Sequence, residues 1–182
     1  MHSVELLPDE ATERAVRAVW DRLLQAGLPS QAAHRHPTNR PHLTLAAVDT
    51  LAPATRTRVG ELLTALPVPL VLQGSVRFTG RTHVLAWAVR RDDALLRLHE
   101  AVWRALRDAP ARGRLHPLHD PARWNPHVTL GCGRGAAWPV PDGTLFGAAP
   151  GGGTPGVLGG RWVDARTYDS VTRTTARLGP PA

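Results

Sequence analysis

Apolar positions along this chain switch repeatedly between a period of two and a helical period. Ser3–Leu7 is a short alternating stretch, as in a half-buried strand. Val16, Val19, Trp20, Leu23 and Leu24 then recur at helical spacing, with Asp9 placed as N-cap and Gly27 as the stop. The polar, proline-bounded segment Pro29–Arg40 reads as a loop, and His42–Val48 as a strand. Thr55–Leu66 follows as a second helix, ended by Pro67 and Pro69. Leu70–Phe78 and Thr82–Arg90 read as two strands of a hairpin turning at Gly80-Arg81. Leu95, Leu96, Leu98, His99, Val102, Trp103 and Leu106 build a third helix. Beyond it lie a loop at Arg112–Trp124 and a strand at His127–Leu130. Trp138–Gly160, rich in Gly and Pro, reads as an irregular excursion, and Arg161–Tyr168 with Val171–Leu178 as a closing hairpin around Asp169-Ser170.

The two halves repeat one order of elements: a helix, a loop, then a strand that opens Pro-His-aliphatic-Thr-Leu. That order suggests a diverged internal duplication. No flexible linker separates the halves, so residues 1–182 are expected to form one domain with two lobes. No apolar run approaches the roughly 20 residues needed to cross a bilayer. The opening Met1-His2-Ser3-Val4-Glu5 lacks the basic start and apolar segment of a signal peptide, and a single cysteine cannot form an internal disulfide. A cytoplasmic monomer is the expectation.

Composition adds one exclusion and one inclination. The formal net charge is +7, and all 22 basic residues are arginine. Without lysine the chain can form neither a Schiff base nor a lysyl-adenylate, which excludes an ATP-dependent ligase of that type. Positive charge favours an anionic partner such as phosphate or RNA, although the arginines are scattered.

The chemistry lies in the repeated pentapeptide, at Pro41–Leu45 and Pro126–Leu130. Residues i and i+2 of a strand share a face, so His42 pairs with Thr44 and His127 with Thr129. Leu43, Leu45, Val128 and Leu130 then point into the core. A third His-x-Thr, His36-Pro37-Thr38, lies in a loop and lacks this context. Histidine gives and takes protons near neutral pH, and threonine hydroxyls can donate to phosphate oxygens. Two such pairs across one cleft suit in-line attack on phosphorus.

Duplicated His-x-Thr strands in this order resemble the two-histidine phosphoesterase superfamily, which includes the 2′-5′ RNA ligase-like proteins and cyclic phosphodiesterases. Val4–Leu28 also resembles small bacterial members of that group. The resemblance implies an α+β fold of two pseudo-symmetric lobes, each with an antiparallel sheet and helices outside, around a central active-site cleft. It implies catalysis by His42, Thr44, His127 and Thr129 without metal or cofactor. The expected substrates are RNA ends or nucleotides carrying a 2′,3′-cyclic phosphate, or a 2′-5′ linkage. Which histidine is acid and which base stays open. Hydrolysis is expected to exceed ligation. The resemblance further implies that, with His127 as the acid toward the 3′ oxygen, phosphate remains on the 2′ oxygen.

Weaker candidates surround the motifs. Arg40, Arg81, Arg134 and Tyr168 are candidate substrate contacts, through forked donors or stacking. Relatives often carry a basic residue soon after the second His-x-Thr, whereas here Gly131 and Cys132 fill the nearest positions. His116 and His119, together with His34 and His36, form a lesser metal candidate. Cys132 is expected in the core, on the face opposite His127 and Thr129. Trp20 and Trp103 are expected in the core, and Trp124 either there or stacked on a base. An RNA-binding protein without turnover, or a phosphodiesterase for a small cyclic nucleotide or metabolite, are the competing functions.

Overall fold

The computed structural model describes residues 1–110, 113–138 and 157–179. Its elements run β1 (His2–Pro8), α1 (Glu10–Gln25), β2 (Leu43–Val48), α2 (Pro53–Leu62), β3 (Val68–Phe78), β4 (His83–Val89), α3 (Asp93–Arg107), β5 (His127–Gly133), β6 (Val157–Asp169) and β7 (Thr174–Leu178). The α+β expectation holds. Asp9 caps α1 as read, its carboxylate accepting from the Thr12 backbone N–H at 2.8 Å. The second helix starts at Pro53, with proline at its first turn, and tightens into a 3-10 turn at Leu63–Ala65.

All neighbouring strands pair antiparallel in the order β2-β1-β6-β3-β4-β5, with β7 on β6. The strands expected in two sheets are therefore hydrogen-bonded into one. The link is β6, which pairs with β3 through Val157–Trp162 and with β1 through Trp162–Asp169. The sheet bends so that its two outermost strands, β2 and β5, come within 8 Å Cα to Cα.

The early part of β6 corrects the sequence reading. Val157–Gly160 belongs to the strand and not to an irregular excursion. Glycines hid it, and packing explains them: a Cβ at Gly160 would lie 2.0 Å from Thr12 Oγ1 and 2.6 Å from Asp9 Oδ2. Residues 139–156 of the supposed excursion lie outside the described residues. The β6–β7 turn falls at 170–173, later than read, with Asp169 accepting from the Val171 N–H and the Thr172 hydroxyl.

Helices cross between the halves. α1 precedes β2 in sequence but packs on β5 and β6, whereas α3 precedes β5 but packs on β2, β3 and α2. Val16, Val19, Trp20 and Leu23 form the buried face of α1, and Leu24, expected with them, is exposed. Leu43, Leu45, Val128 and Leu130 are at most 1 % exposed. Each such side chain contributes about 1.5–3 kcal/mol of burial, which pins both motif strands to the core. Among the described residues, no helix is long and apolar enough to cross a membrane.

Candidate active site

Both motif strands carry the same irregularity. In β2 the pairing with β1 skips Leu45, and in β5 the pairing with β4 skips Leu130. Each is a one-residue bulge placed directly after the motif threonine, a device that re-aims side chains. The histidines are held alike. His42 Nδ1 lies 2.7 Å from the Arg40 carbonyl, and His127 Nδ1 lies 2.7 Å from the Asn125 carbonyl. A carbonyl can only accept, so Nδ1 donates in both rings. Each Nε2 is thereby the acceptor when its ring is neutral and a donor when it is charged.

His42, Thr44, His127 and Thr129 line one cleft of about 490 Å³, together with Phe78 and Trp124. Neither threonine hydroxyl has a protein partner among the described residues, so both are available to a ligand. Two buried indoles fix the threonine backbones from behind. Trp20 on α1 donates to the Thr129 carbonyl at 3.0 Å, and Trp124 donates to the Thr44 carbonyl at 3.1 Å. Trp124 in turn stacks on His99 of α3, with ring centroids 3.7 Å apart and planes 3° from parallel. The crossed helices thus support the motif strand of the opposite half.

The surroundings of the two histidines differ. His42 Nε2 is 3.7 Å from a carboxylate oxygen of Glu5, an ion pair whenever the ring is protonated. Glu5 is itself buried. It accepts from Arg166 Nε at 2.7 Å and from the Ser3 hydroxyl at 2.7 Å. His127 instead lies against Phe78, with ring centroids 4.6 Å apart. Burial lowers its proton affinity, the Asn125 carbonyl opposes that, and the His42 charge lowers it again. His119, also on the cleft wall, is pushed down to about 4 by burial, then by His116, His99 and His127.

The other sequence candidates separate. Arg40 does not line the cleft. Its guanidinium forms a close two-oxygen pair with Glu13 of α1, at 2.6 Å from Nη2, and only its backbone carbonyl serves His42. That pair holds the carboxyl of Glu13 below its ordinary range against the opposing effect of burial, which is the largest single influence. Arg81 is exposed on the β3–β4 turn, next to Thr82, and Arg134 is exposed in the turn after β5. Neither lines the cleft. Tyr168 lines a second pocket, of about 350 Å³, which also has His42 in its wall.

The loop histidines do not converge. His34 and His36 line that second pocket, whereas His116 and His119 line the cleft. Among the described residues no three His, Cys, Asp or Glu side chains are grouped to hold a metal. Cys132 corrects its expected place. The bulge at Leu130 reverses the alternation, so Cys132 is half-buried beside Thr129 and His42 in a cavity of about 280 Å³. There Gln31 Nε2 donates to its sulfur at 3.6 Å. Trp103 is buried as expected, and Trp124 is buried as the clamp on Thr44. The residues not anticipated are Glu5, Phe78 and Arg166. The one available signal was Glu5, a lone acid within an otherwise apolar strand core.

Comparison with known proteins settles the family. The family profile described as "2'-5' RNA ligase superfamily" matches residues 7–141, most of the chain. The chain belongs to the 2′-5′ RNA ligase superfamily. Three solved structures share the fold of this superfamily member. E. coli LigT in apo form is 16 % identical, with 97 % of this chain and 93 % of that chain covered and a TM-score of 0.57. A structure described only as a phosphoesterase is 18 % identical, covering 97 % and 92 %, with a TM-score of 0.55. Kluyveromyces marxianus Usb1 is 14 % identical, covering 97 % and 96 %, with a TM-score of 0.53. No curated protein matches the sequence.

Proposed function

We propose that this superfamily member is a phosphodiesterase that hydrolyses a 2′,3′-cyclic phosphate, or a 2′-5′ linkage, of RNA or a nucleotide. The observation that carries the reading is the single cleft lined by both His-x-Thr pairs, each ring anchored through Nδ1. E. coli LigT, of the same fold, has been solved with phosphate, with ATP and with NADP+, all of which contain phosphate groups.

His127 is the base. Burial disfavours its charged form, so its Nε2 is free to take a proton from water over most of the neutral range. His42 is the acid, its protonated form paired with Glu5, and it delivers that proton to the leaving ribose oxygen. Water adds to phosphorus as the ring P–O bond breaks, and the phosphate keeps one oxygen from water. Thr44 and Thr129 donate to the non-bridging oxygens as charge builds there. This assignment gives the acid role to His42, where the sequence reading carried a conditional role for His127.

The test is a panel of the nucleoside 2′,3′-cyclic phosphates, with and without chelator, with the product read by phosphorus NMR. The expected result is chelator-resistant turnover to a single phosphomonoester, a 2′-phosphate where it is the 3′ oxygen that takes the proton from His42, with little ligation of added RNA ends. The rate should fall on the acid side with a midpoint below 6.5, since a base of low proton affinity must stay neutral. Absence of turnover across the panel, or activity lost to chelator and restored by zinc, would overturn the proposal.

A further inference from the structure

The second pocket, beside His42, contributes only Glu5 and His42 to that chemistry, and its other lining includes two arginines. Arg166, which is 7 % exposed, is part of its lining. Arg166 spends only Nε on Glu5. Its two terminal nitrogens have no protein partner among the described residues, although the residue lines the pocket. A guanidinium nine-tenths buried with its fork unsatisfied is costly unless a ligand or water meets it. The Tyr168 ring and Arg173 join it on the wall. Arg173 sits at φ 56° in the β6–β7 turn, a backbone conformation that side chains other than Gly, Asn and Asp seldom adopt. Glu5 is the acid in this lining, and Arg166 and Ser3 already engage it.

We infer that this pocket is a second phosphate subsite, formed by the Arg166 fork, the Tyr168 hydroxyl and Arg173, next to the catalytic cleft. The inference rests on the proposed function and narrows its substrate class. In a nucleoside 2′,3′-cyclic phosphate both lower ribose oxygens are occupied, so a second phosphate can attach only through O5′. His42 stands in the wall of both pockets, so one ligand can span them. The preferred substrate is thus a 5′-phosphorylated cyclic nucleotide, or the cyclic-phosphate end of an RNA whose preceding phosphodiester occupies the subsite. A bare nucleoside cyclic phosphate leaves it empty.

Two measurements test this. In the first, adenosine 2′,3′-cyclic phosphate is compared with its 5′-phosphorylated form. The 5′ phosphate should raise kcat/KM by about tenfold or more, mainly through KM, as expected for charge-assisted hydrogen bonds. That ratio should fall to about one third or less of its value in Arg173→Asn, which keeps the turn conformation, and in Arg166→Lys, which keeps a charge for Glu5. In the second, ring-labelled tyrosine is followed by carbon NMR during titration with inorganic phosphate. Tyr168 is the sole tyrosine, so one resonance reports. It should shift saturably, and with at least about fivefold weaker affinity in Arg173→Asn. Equal kcat/KM for the two substrates, or a tyrosine resonance indifferent to phosphate, would overturn the subsite. No turnover of either substrate with the phosphate-induced shift intact would instead overturn the proposed function and leave the subsite standing.

Discussion

The strands β2 and β5 are the same device in two electrostatic settings. Both are entered through a histidine tied to the carbonyl two residues back, bulge at the leucine after the threonine, and receive an indole on the threonine carbonyl. The backbone geometry is duplicated because each bulge must aim a histidine and a threonine at one cleft. The environments are not. His42 faces the buried Glu5–Arg166 pair, whereas His127 faces Phe78. The proposed reaction needs one proton donor and one acceptor, and these unlike neighbours give the two histidines different proton affinities to start from.

The largest expected effect comes from removing the charge that distinguishes the first half. Glu5→Gln leaves the buried Arg166 without its counter-ion and should destabilise the fold by about 3–5 kcal/mol. A denaturant midpoint unchanged from the parent protein would show that the pair is not buried as described.

His42→Ala and His127→Ala should each lower the rate on a cyclic phosphate by at least ~10². Their pH profiles should differ: His42→Ala keeps the acid limb set by His127, and His127→Ala loses it. Profiles with the limbs exchanged would reverse the assignment of base and acid.

A third effect concerns stability against pH. Burial pushes His99 down to about 4 in the folded protein, against carbonyls of His119 and Leu45, while its ordinary value is 6.5. Between those values the unfolded chain binds the extra proton and the folded chain does not. Stability from this group is therefore complete above about pH 6.5 and is lost as pH falls toward 4, by roughly 2–3 kcal/mol. Thermal unfolding between pH 7 and 4 reads the slope, and His99→Gln should reduce it, leaving the part that His119 contributes. A slope unaffected by that change would assign the acid sensitivity elsewhere.

The indole clamps test how alike the halves are. Trp20→Phe and Trp124→Phe each strip a donor from the carbonyl of a half-buried threonine, and each should cost about 1–3 kcal/mol. Trp124→Phe also alters the stack on His99, so it should be the costlier. Smallest of all is Arg40→Ala. An ion pair this exposed contributes at most about 1 kcal/mol, and activity should stay within about twofold because only the backbone carbonyl serves His42. A large loss of activity would return Arg40 to the substrate.

Periodicity and the repeated pentapeptide were enough to locate ten elements to within a few residues and to select His42, Thr44, His127 and Thr129. Those signals are local. Alternation in a strand and spacing in a helix depend on which neighbours a residue has within one or two turns. What escaped was non-local. Val157–Gly160 lacks strand-forming side chains and is a strand because β3 pairs with it and α1 closes over its glycines. Cys132 changed face because one inserted residue reverses the alternation, and a bulge is visible only against a partner strand.

By itself, then, the sequence determined which side chains are the candidates for the chemistry and that they come in two matched pairs. Tertiary structure alone decided how the pairs differ. Glu5 and Arg166 are far apart in the chain and meet only because β1 lies between β2 and β6, and Trp20 reaches Thr129 only because α1 crosses to the other half. Proton affinity and anion binding depend on burial and on charges within a few ångströms, quantities that sequence neighbours do not set and that folding brings into being.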